Sequence, residues 1–278
     1  MGKQKITIFV ACHKPVDVIS NDVYKPIHVG RSISKYRDEM SYMIGDDTGD
    51  NISEKNPYYS EMTAQYWAWK NYHDTEYIGF CHYRRFFKNT FTNNNIDKIL
   101  KGNDVIMVGP SLRIHNRINY LKNFVCGEDI MIFVEVLSKL YPDYYYTLLK
   151  YSNNFIDYPL NMFICKKTVF DKYAQWIFNI LFECEKYIKL SPYSRGRRVF
   201  GYISEFLMPV YFMHNNYKIV NSPYYLPEKK IIIRFDFIHQ FAYYFLRTLY
   251  CRFSQCPDSL YDIAIKLGLK NDGILINA

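Results

Sequence analysis

Three polar clusters hold the residues in this sequence best able to do chemistry. His13-Lys14 follows the apolar run Ile6 to Ala11, Asp46-Asp47-Thr48-Gly49-Asp50-Asn51 forms a second cluster, and His82-Tyr83-Arg84-Arg85 a third. The third is cationic, and arginine offers a rigid fork of N–H donors that matches the oxygens of a diphosphate. Carboxylates gathered in one short loop, as in the second, can ligate a divalent cation through oxygen, although the spacing of a calcium-binding EF-hand is absent. Asp-Thr-Gly-Asp-Asn is equally good turn sequence. A single His or Asp at the end of a strand is more often turn chemistry than a ligand, so the case for a site rests on all three together.

The elements that must position these clusters follow from hydrophobic patterning. Residues 5–12 form a β-rich run closed by His13-Lys14-Pro15, and Met40 to Gly45 reads as a second strand. Tyr58 to Tyr72 predicts a helix with Ser60 as its N-cap; Glu76 to Cys81 predicts a strand, Ile96 to Lys101 a helix and Asp104 to Val108 a strand. Beyond 125 the pattern turns helical, with Glu128 to Leu140, Tyr145 to Tyr151, Thr168 to Leu190 and Val199 to Tyr211 as helices and Pro159 to Cys165 as a strand. Alternating strands and helices through residue 110 argue for an α/β sandwich on a largely parallel sheet. In open sheets of that kind ligands bind beyond the carboxyl ends of the strands, which is where all three clusters fall.

Composition narrows the chemistry further. The chain has 278 residues, a formal charge of +8 and an aromatic excess of 28 Tyr, 20 Phe and 3 Trp. Tyrosine joins an apolar ring to a hydrogen-bonding hydroxyl and suits sugar, nucleobase and interfacial contacts alike. Positive charge with aromatics also raises a nucleic-acid binder, but no RNP-like or helix-turn-helix signature accompanies them. Gly-rich phosphate loops, dinucleotide fingerprints, Gly-x-Ser-x-Gly and zincin motifs are all missing, which argues against an NTPase, a Rossmann oxidoreductase, an α/β-hydrolase and a zinc protease. The seven cysteines, Cys12, Cys81, Cys126, Cys165, Cys184, Cys251 and Cys256, show no C-x-x-C spacing and read as buried reduced thiols. With a short N-terminal apolar run that suits a strand better than a signal peptide, the chain reads as cytoplasmic.

The stretches Ile8 to Lys14, Asp47 to Ser53, Glu61 to Asn71 and Gly79 to Arg85 resemble a bacterial family long carried as a domain of unknown function, encoded with capsular and exopolysaccharide genes. Asn161 to Ile164 and Arg198 to Glu205 resemble its later blocks, so the likeness spans about residues 5–225. The resemblance implies a GT-A-like, nucleotide-sugar-binding α/β fold with a mostly helical C-terminal portion. It divides the chain into a glycosyltransferase domain over 1–225, donor-binding over about 1–115 and acceptor-side over about 116–225, and a basic aromatic tail over 226–278. Implied with it is transfer of a hexose, galactofuranose or galactose, from a UDP-sugar to a lipid-linked saccharide in capsule, exopolysaccharide or O-antigen synthesis.

On that resemblance His13, Lys14, Asp47, Asp50, Asn51, Trp67, His82, Tyr83, Arg84 and Arg85 are donor-binding candidates. The usual Asp-x-Asp pair is replaced at the relevant strand end by Cys81 to Arg85. Two solutions for the leaving UDP therefore stand: Mn²⁺ or Mg²⁺ held by Asp47, Asp50 or His82, or direct neutralisation by Arg84 and Arg85. For an inverting transfer Glu205 is the first candidate base and Glu61 the second. The tail reads either as a helix packed on the second lobe or as a segment held peripherally on the inner face of the cell membrane. The competing function is a non-catalytic carbohydrate-binding or scaffolding subunit of a capsule assembly complex.

Overall fold

The computed structural model describes residues 4–113, 115–233, 241–242, 245 and 268–273. The strands are β1 (Gln4–Cys12), β2 (Tyr24–His28), β3 (Ile44–Gly45), β4 (Thr75–His82), β5 (Phe86–Phe87), β6 (Val105–Val108), β7 (Ser111–Leu112), β8 (Ile156–Asp157), β9 (Phe163–Lys166), β10 (Ile219–Ser222), β11 (Tyr224–Leu226) and β12 (Ile231–Ile233). The helices are α1 (Asn56–Tyr59), α2 (Met62–Asn71), α3 (Ile96–Leu100), α4 (Arg117–Leu121), α5 (Gly127–Leu140), α6 (Tyr145–Ser152), α7 (Lys167–Glu185), α8 (Ser194–Arg197) and α9 (Val199–His214).

The central sheet has the order β10-β6-β9-β4-β1-β2-β3. Every neighbouring pair is parallel except the two made by β9, which runs against both β4 and β6. Both faces of β1 are covered, so its side chains alternate between two cores rather than between core and water. Ile6, Ile8 and Val10 enter one core with Tyr77, Cys81 and Ile164; Phe9 and Ala11 enter the other with Phe80, Phe163 and the helices α2, α5, α7 and α9. Thr7 lies on the helix side, where its hydroxyl hydrogen-bonds the Tyr72 hydroxyl at 3.0 Å, so this buried polar group is satisfied. Burial of side chains as large as Phe9, Phe163 and Phe170 stabilises such a sheet by roughly 1.5–3 kcal/mol each.

The architecture agrees with the α/β, mostly parallel expectation, while several element boundaries differ. The strand expected over Met40 to Gly45 is only Ile44–Gly45; Met40 and Met43 are buried from turns, which gives apolar spacing without extended backbone. The expected helix Tyr58 to Tyr72 is two helices, α1 and α2, broken at Ser60, which is not an N-cap but has φ 53. The strand expected from Pro159 begins only at Phe163, because Leu160 and Asn161 both have positive φ, at 84 and 48. The long helix ends at Glu185 rather than Leu190. Short strands β2, β5, β7, β8, β10, β11 and β12 escape the periodicity, since two to five residues carry too little pattern.

Much of the aromatic excess belongs to this architecture. Trp67 and Trp176 are buried, and Trp69 stacks on Phe178 with centroids 5.9 Å apart. Tyr173, Trp176 and Phe178 face the core from α7, as their helical spacing predicts. The tail reading over 226–278 falls mostly outside the described residues. Among the described residues no helix is long and apolar enough to cross a membrane.

Candidate functional site

β1 leads to β2 on one side and has β4 on the other, so the direction of winding reverses between β1 and β4. That reversal leaves a crevice outside their carboxyl ends, the usual ligand position in open α/β sheets. Here it is a cleft of about 520 Å³. Ala11 and His13 enter it from the end of β1, and His82, Tyr83, Arg84 and Arg85 from the end of β4. The antiparallel course of β9 brings the start of that strand to the same edge, which puts Leu160 in the cleft wall. Ser60 and Glu61, before α2, and Arg198, Tyr202 and Glu205, along α9, close the opposite side.

Leu160 and Asn161 form the hub of this arrangement. The Leu160 carbonyl accepts from His82 Nε2 at 2.8 Å, which places the ring proton on that nitrogen. Asn161 donates its side-chain amide to Glu61 Oε1 at 2.9 Å and to Ser204 Oγ at 3.1 Å. Two successive residues at positive φ cost of order 1–3 kcal/mol each, and bonds of this kind oppose that strain. Gly201 permits close packing of α9 on the α1–α2 break, for a Cβ there would stand 3.0 Å from Ser60 Oγ. That same hydroxyl accepts from Arg198 Nε at 3.0 Å, fixing the guanidinium at the cleft wall.

The cleft carries cationic and acidic side chains together. His82 and His13 are held below the usual histidine range, by burial first; nearby arginine charge adds to it, although Glu61 acts the other way on His82. Both imidazoles are thus neutral near pH 7, and the positive charge comes from Arg84, Arg85 and Arg198. Glu205 is pushed up to about 7, by burial first and then by the carboxylates of Asp157 and Glu61, with Arg117 and the Leu160 backbone opposing. Asp157 is itself fully buried, paired with Arg113 and, at 2.9 Å, with Arg117. A carboxylate of this kind can take a proton near neutral pH, and the arginines can hold a dianionic or polyanionic group beside it.

Of the twelve residues expected from sequence, His13, Glu61, His82, Tyr83, Arg84, Arg85 and Glu205 line the cleft. Lys14 lies at its rim, with Nζ 5.8 Å from the centroid of Tyr83, which also packs edge-on against His13. Asp47, Asp50, Asn51 and Trp67 do not line it. Asp47 pairs with Arg37 at 3.0 Å and faces Arg31 at 3.6 Å. Asp50 accepts from the Tyr66 hydroxyl at 2.9 Å, Asn51 bonds within its own turn, and Trp67 donates Nε1 to Thr48 at 2.8 Å. The acidic loop is therefore stapled to α2. Its buried Asp46 accepts from the backbone N–H groups of Gly30 and Arg31 and from Ser53.

A cation shared by Asp47, Asp50 and His82 does not fit this geometry, because only His82 of the three faces the cleft. Among the described residues no group of three or more His, Cys, Asp or Glu side chains is arranged to hold a metal ion. Ser60, Arg198 and Tyr202 were missed as site residues. Arg198 and Tyr202 share a helix face with Glu205 at i, i+4 and i+7, a spacing readable once Glu205 is suspected. Nothing in the local sequence announces Ser60.

The sequence model of the family described as Domain of unknown function (DUF4422) matches residues 7–216. The chain belongs to this family. Every residue named above in the cleft falls within the matched stretch. A solved apo structure of WbbM, a bifunctional glycosyltransferase, is similar with a TM-score of 0.68 and 28% identity. The match covers 80% of this chain and 45% of that one, so the chain spans less than half of that protein's length. A comparison with curated proteins gives no match.

Proposed function

We propose that this chain is a glycosyltransferase that moves a hexose, galactofuranose or galactose, from a UDP-sugar to a saccharide acceptor with inversion at the anomeric carbon. The observation that carries the reading is the meeting of Arg84, Arg85 and Arg198 with Glu205 and Glu61 in one cleft at the reversal between β1 and β4. The similarity to the bifunctional glycosyltransferase supports it.

In this reading the donor diphosphate lies against Arg84, Arg85 and Arg198. Glu205 takes the proton of the acceptor hydroxyl as its oxygen bonds to the anomeric carbon. The bond from that carbon to the phosphate oxygen breaks, and UDP leaves with the electron pair. Charge growing on the leaving oxygen is neutralised by the arginine forks, of which Arg198 is already oriented by its bond to Ser60. In the proposal these arginines carry that role in place of a cation on Asp47, Asp50 and His82. Glu61, held by Asn161, is placed to bond a sugar hydroxyl. The acceptor is a lipid-linked saccharide, with the chain peripheral to a membrane surface.

Incubation of the chain with UDP-galactofuranose or UDP-galactose and a panel of saccharide acceptors tests the reading. Transfer or slow donor hydrolysis is expected. No turnover with any common nucleotide sugar, together with calorimetric silence toward millimolar UDP, overturns it and leaves the non-catalytic carbohydrate-binding subunit in its place.

A further inference from the structure

The Arg84-Arg85 turn has a second side. Across it from the main cleft lies a hollow of about 260 Å³, lined by Arg84, Arg85, Tyr224, Leu226, Glu228 and Lys229. Its far wall is the small sheet β12-β11-β5 and the single helical turn Pro227–Lys229. β11 pairs with β5 at Tyr224↔Phe87 and Tyr225↔Phe86, so this wall is anchored directly after the arginine turn. The residues that complete the hollow follow the stretch 7–216 shared with the family.

Three cations meet one carboxylate here, and among the described residues neither arginine forms an ion pair, nor does Lys229 or Glu228. An unpaired cation cluster in a hollow is the arrangement that receives an external anion. Beyond Lys229 and Lys230 the strand β12 exposes Ile231 and Ile232, at 48% and 40%. Ile231 lies opposite Leu226, on the face of the small sheet that lines the hollow, while Ile232 lies opposite Tyr225 on the other face, so one exposed apolar side chain adjoins the basic hollow, which suits an anionic group carried on an apolar chain. The two cavities share the arginine pair, so the hollow and the cleft that holds Glu205 meet at Arg84 and Arg85.

We propose that the hollow is an acceptor subsite that receives a phosphate-ester group of the acceptor saccharide; this rests on the transferase reading of the main cleft. The arginine pair then lies between two anions, the donor diphosphate on one side and the acceptor phosphate on the other, while Lys229 touches only the second. No covalent step occurs in the hollow. It selects the acceptor and sets its depth.

Calorimetry on the full chain with one disaccharide in three forms, the methyl glycoside, the 1-phosphate and an alkyl phosphodiester, tests the subsite without requiring turnover. The two phosphates are expected to bind at least tenfold more tightly than the glycoside, to bind in the presence of saturating UDP, and to lose at least tenfold in Lys229→Glu. Tighter binding of the alkyl form assigns the apolar strand to an amphiphilic acceptor; equal binding of the two assigns a soluble phosphate. Equal binding of all three forms, displacement of the phosphates by UDP, or unchanged affinity in Lys229→Glu overturns the subsite. Failure of UDP itself to bind counts instead against the transferase reading, so the two fail separately.

Discussion

Asn161 donates its side-chain amide to Glu61 at 2.9 Å, joining the start of β9 to the start of α2 across the cleft floor. The contact spans 100 residues of sequence and depends on Asn161 adopting φ 48, a conformation asparagine tolerates better than most residues. Replacement by Ala combines backbone strain with loss of the bonds to Glu61, Ser204 and Gly201 and is expected to cost about 2–4 kcal/mol. Asn161→Gly relieves the strain but not the lost donor. A folded Asn161→Gly variant with turnover lowered about tenfold or more, at little changed UDP affinity, marks Asn161 as positioning Glu61. Full turnover in that variant reduces Asn161 to a structural role.

Glu205 carries a pH signature with two parts. A general base works only when deprotonated, so kcat/KM is expected to rise with pH and level off above about 7. Stability runs the other way: the folded chain holds the Glu205 proton more tightly than the unfolded chain does. The site's contribution therefore falls as pH climbs from the ordinary 4.5 toward about 7. Glu205→Gln removes that dependence. Turnover should fall by roughly 10²–10⁴-fold, while the variant's melting temperature above pH 7 should exceed wild type's, by up to ~3 kcal/mol of stability. A variant equally active, or one destabilised at high pH, contradicts the assignment.

Arg84 and Arg198 approach the proposed diphosphate from opposite walls, one after β4 and the other at the start of α9. Each Ala substitution should weaken UDP by about 1.5–3 kcal/mol, the range for a charge-assisted hydrogen bond, and flatten the salt dependence of binding. Arg198→Lys separates charge from geometry. Its ammonium keeps the charge but loses the fork, so it should recover only part of the affinity. Unchanged UDP binding in Arg84→Ala and Arg198→Ala alike places the nucleotide elsewhere.

The sheet and one wall of the cleft were legible because β1 and β4 are long, apolar and followed at once by their polar clusters. Positions at a strand's carboxyl end inherit their place from the strand, so His13 and His82 to Arg85 could be assigned without knowing the rest of the fold. Ser60 and Asn161 were not legible as a pair of backbone breaks. Their importance comes from backbone conformations at breaks, and from partners more than 40 residues away, which no local pattern records. Asp47 and Asp50 illustrate the opposite error: a loop rich in carboxylates reads as a ligand set, yet its side chains are consumed by Arg37, Tyr66 and the backbone turn.

That last contrast yields a prediction about metal. Asp50 holds the Tyr66 hydroxyl and lies 3.9 Å from Lys70 on the neighbouring turn of α2, a pair at the limit of ion-pair distance with its carboxylate exposed, whose worth is small. Asp50→Asn keeps an acceptor for Tyr66 and should cost less than about 1 kcal/mol. If the arginines alone neutralise the leaving diphosphate, Asp50→Asn retains most of the turnover, and wild-type turnover survives excess EDTA. A cation in the cleft would instead make the rate collapse with EDTA and return with Mn²⁺ or Mg²⁺. Loss in Asp50→Asn that tracks this metal requirement would move the donor site toward the acidic loop. EDTA resistance with intact Asp50→Asn activity leaves Arg84, Arg85 and Arg198 as the charge that UDP departs against.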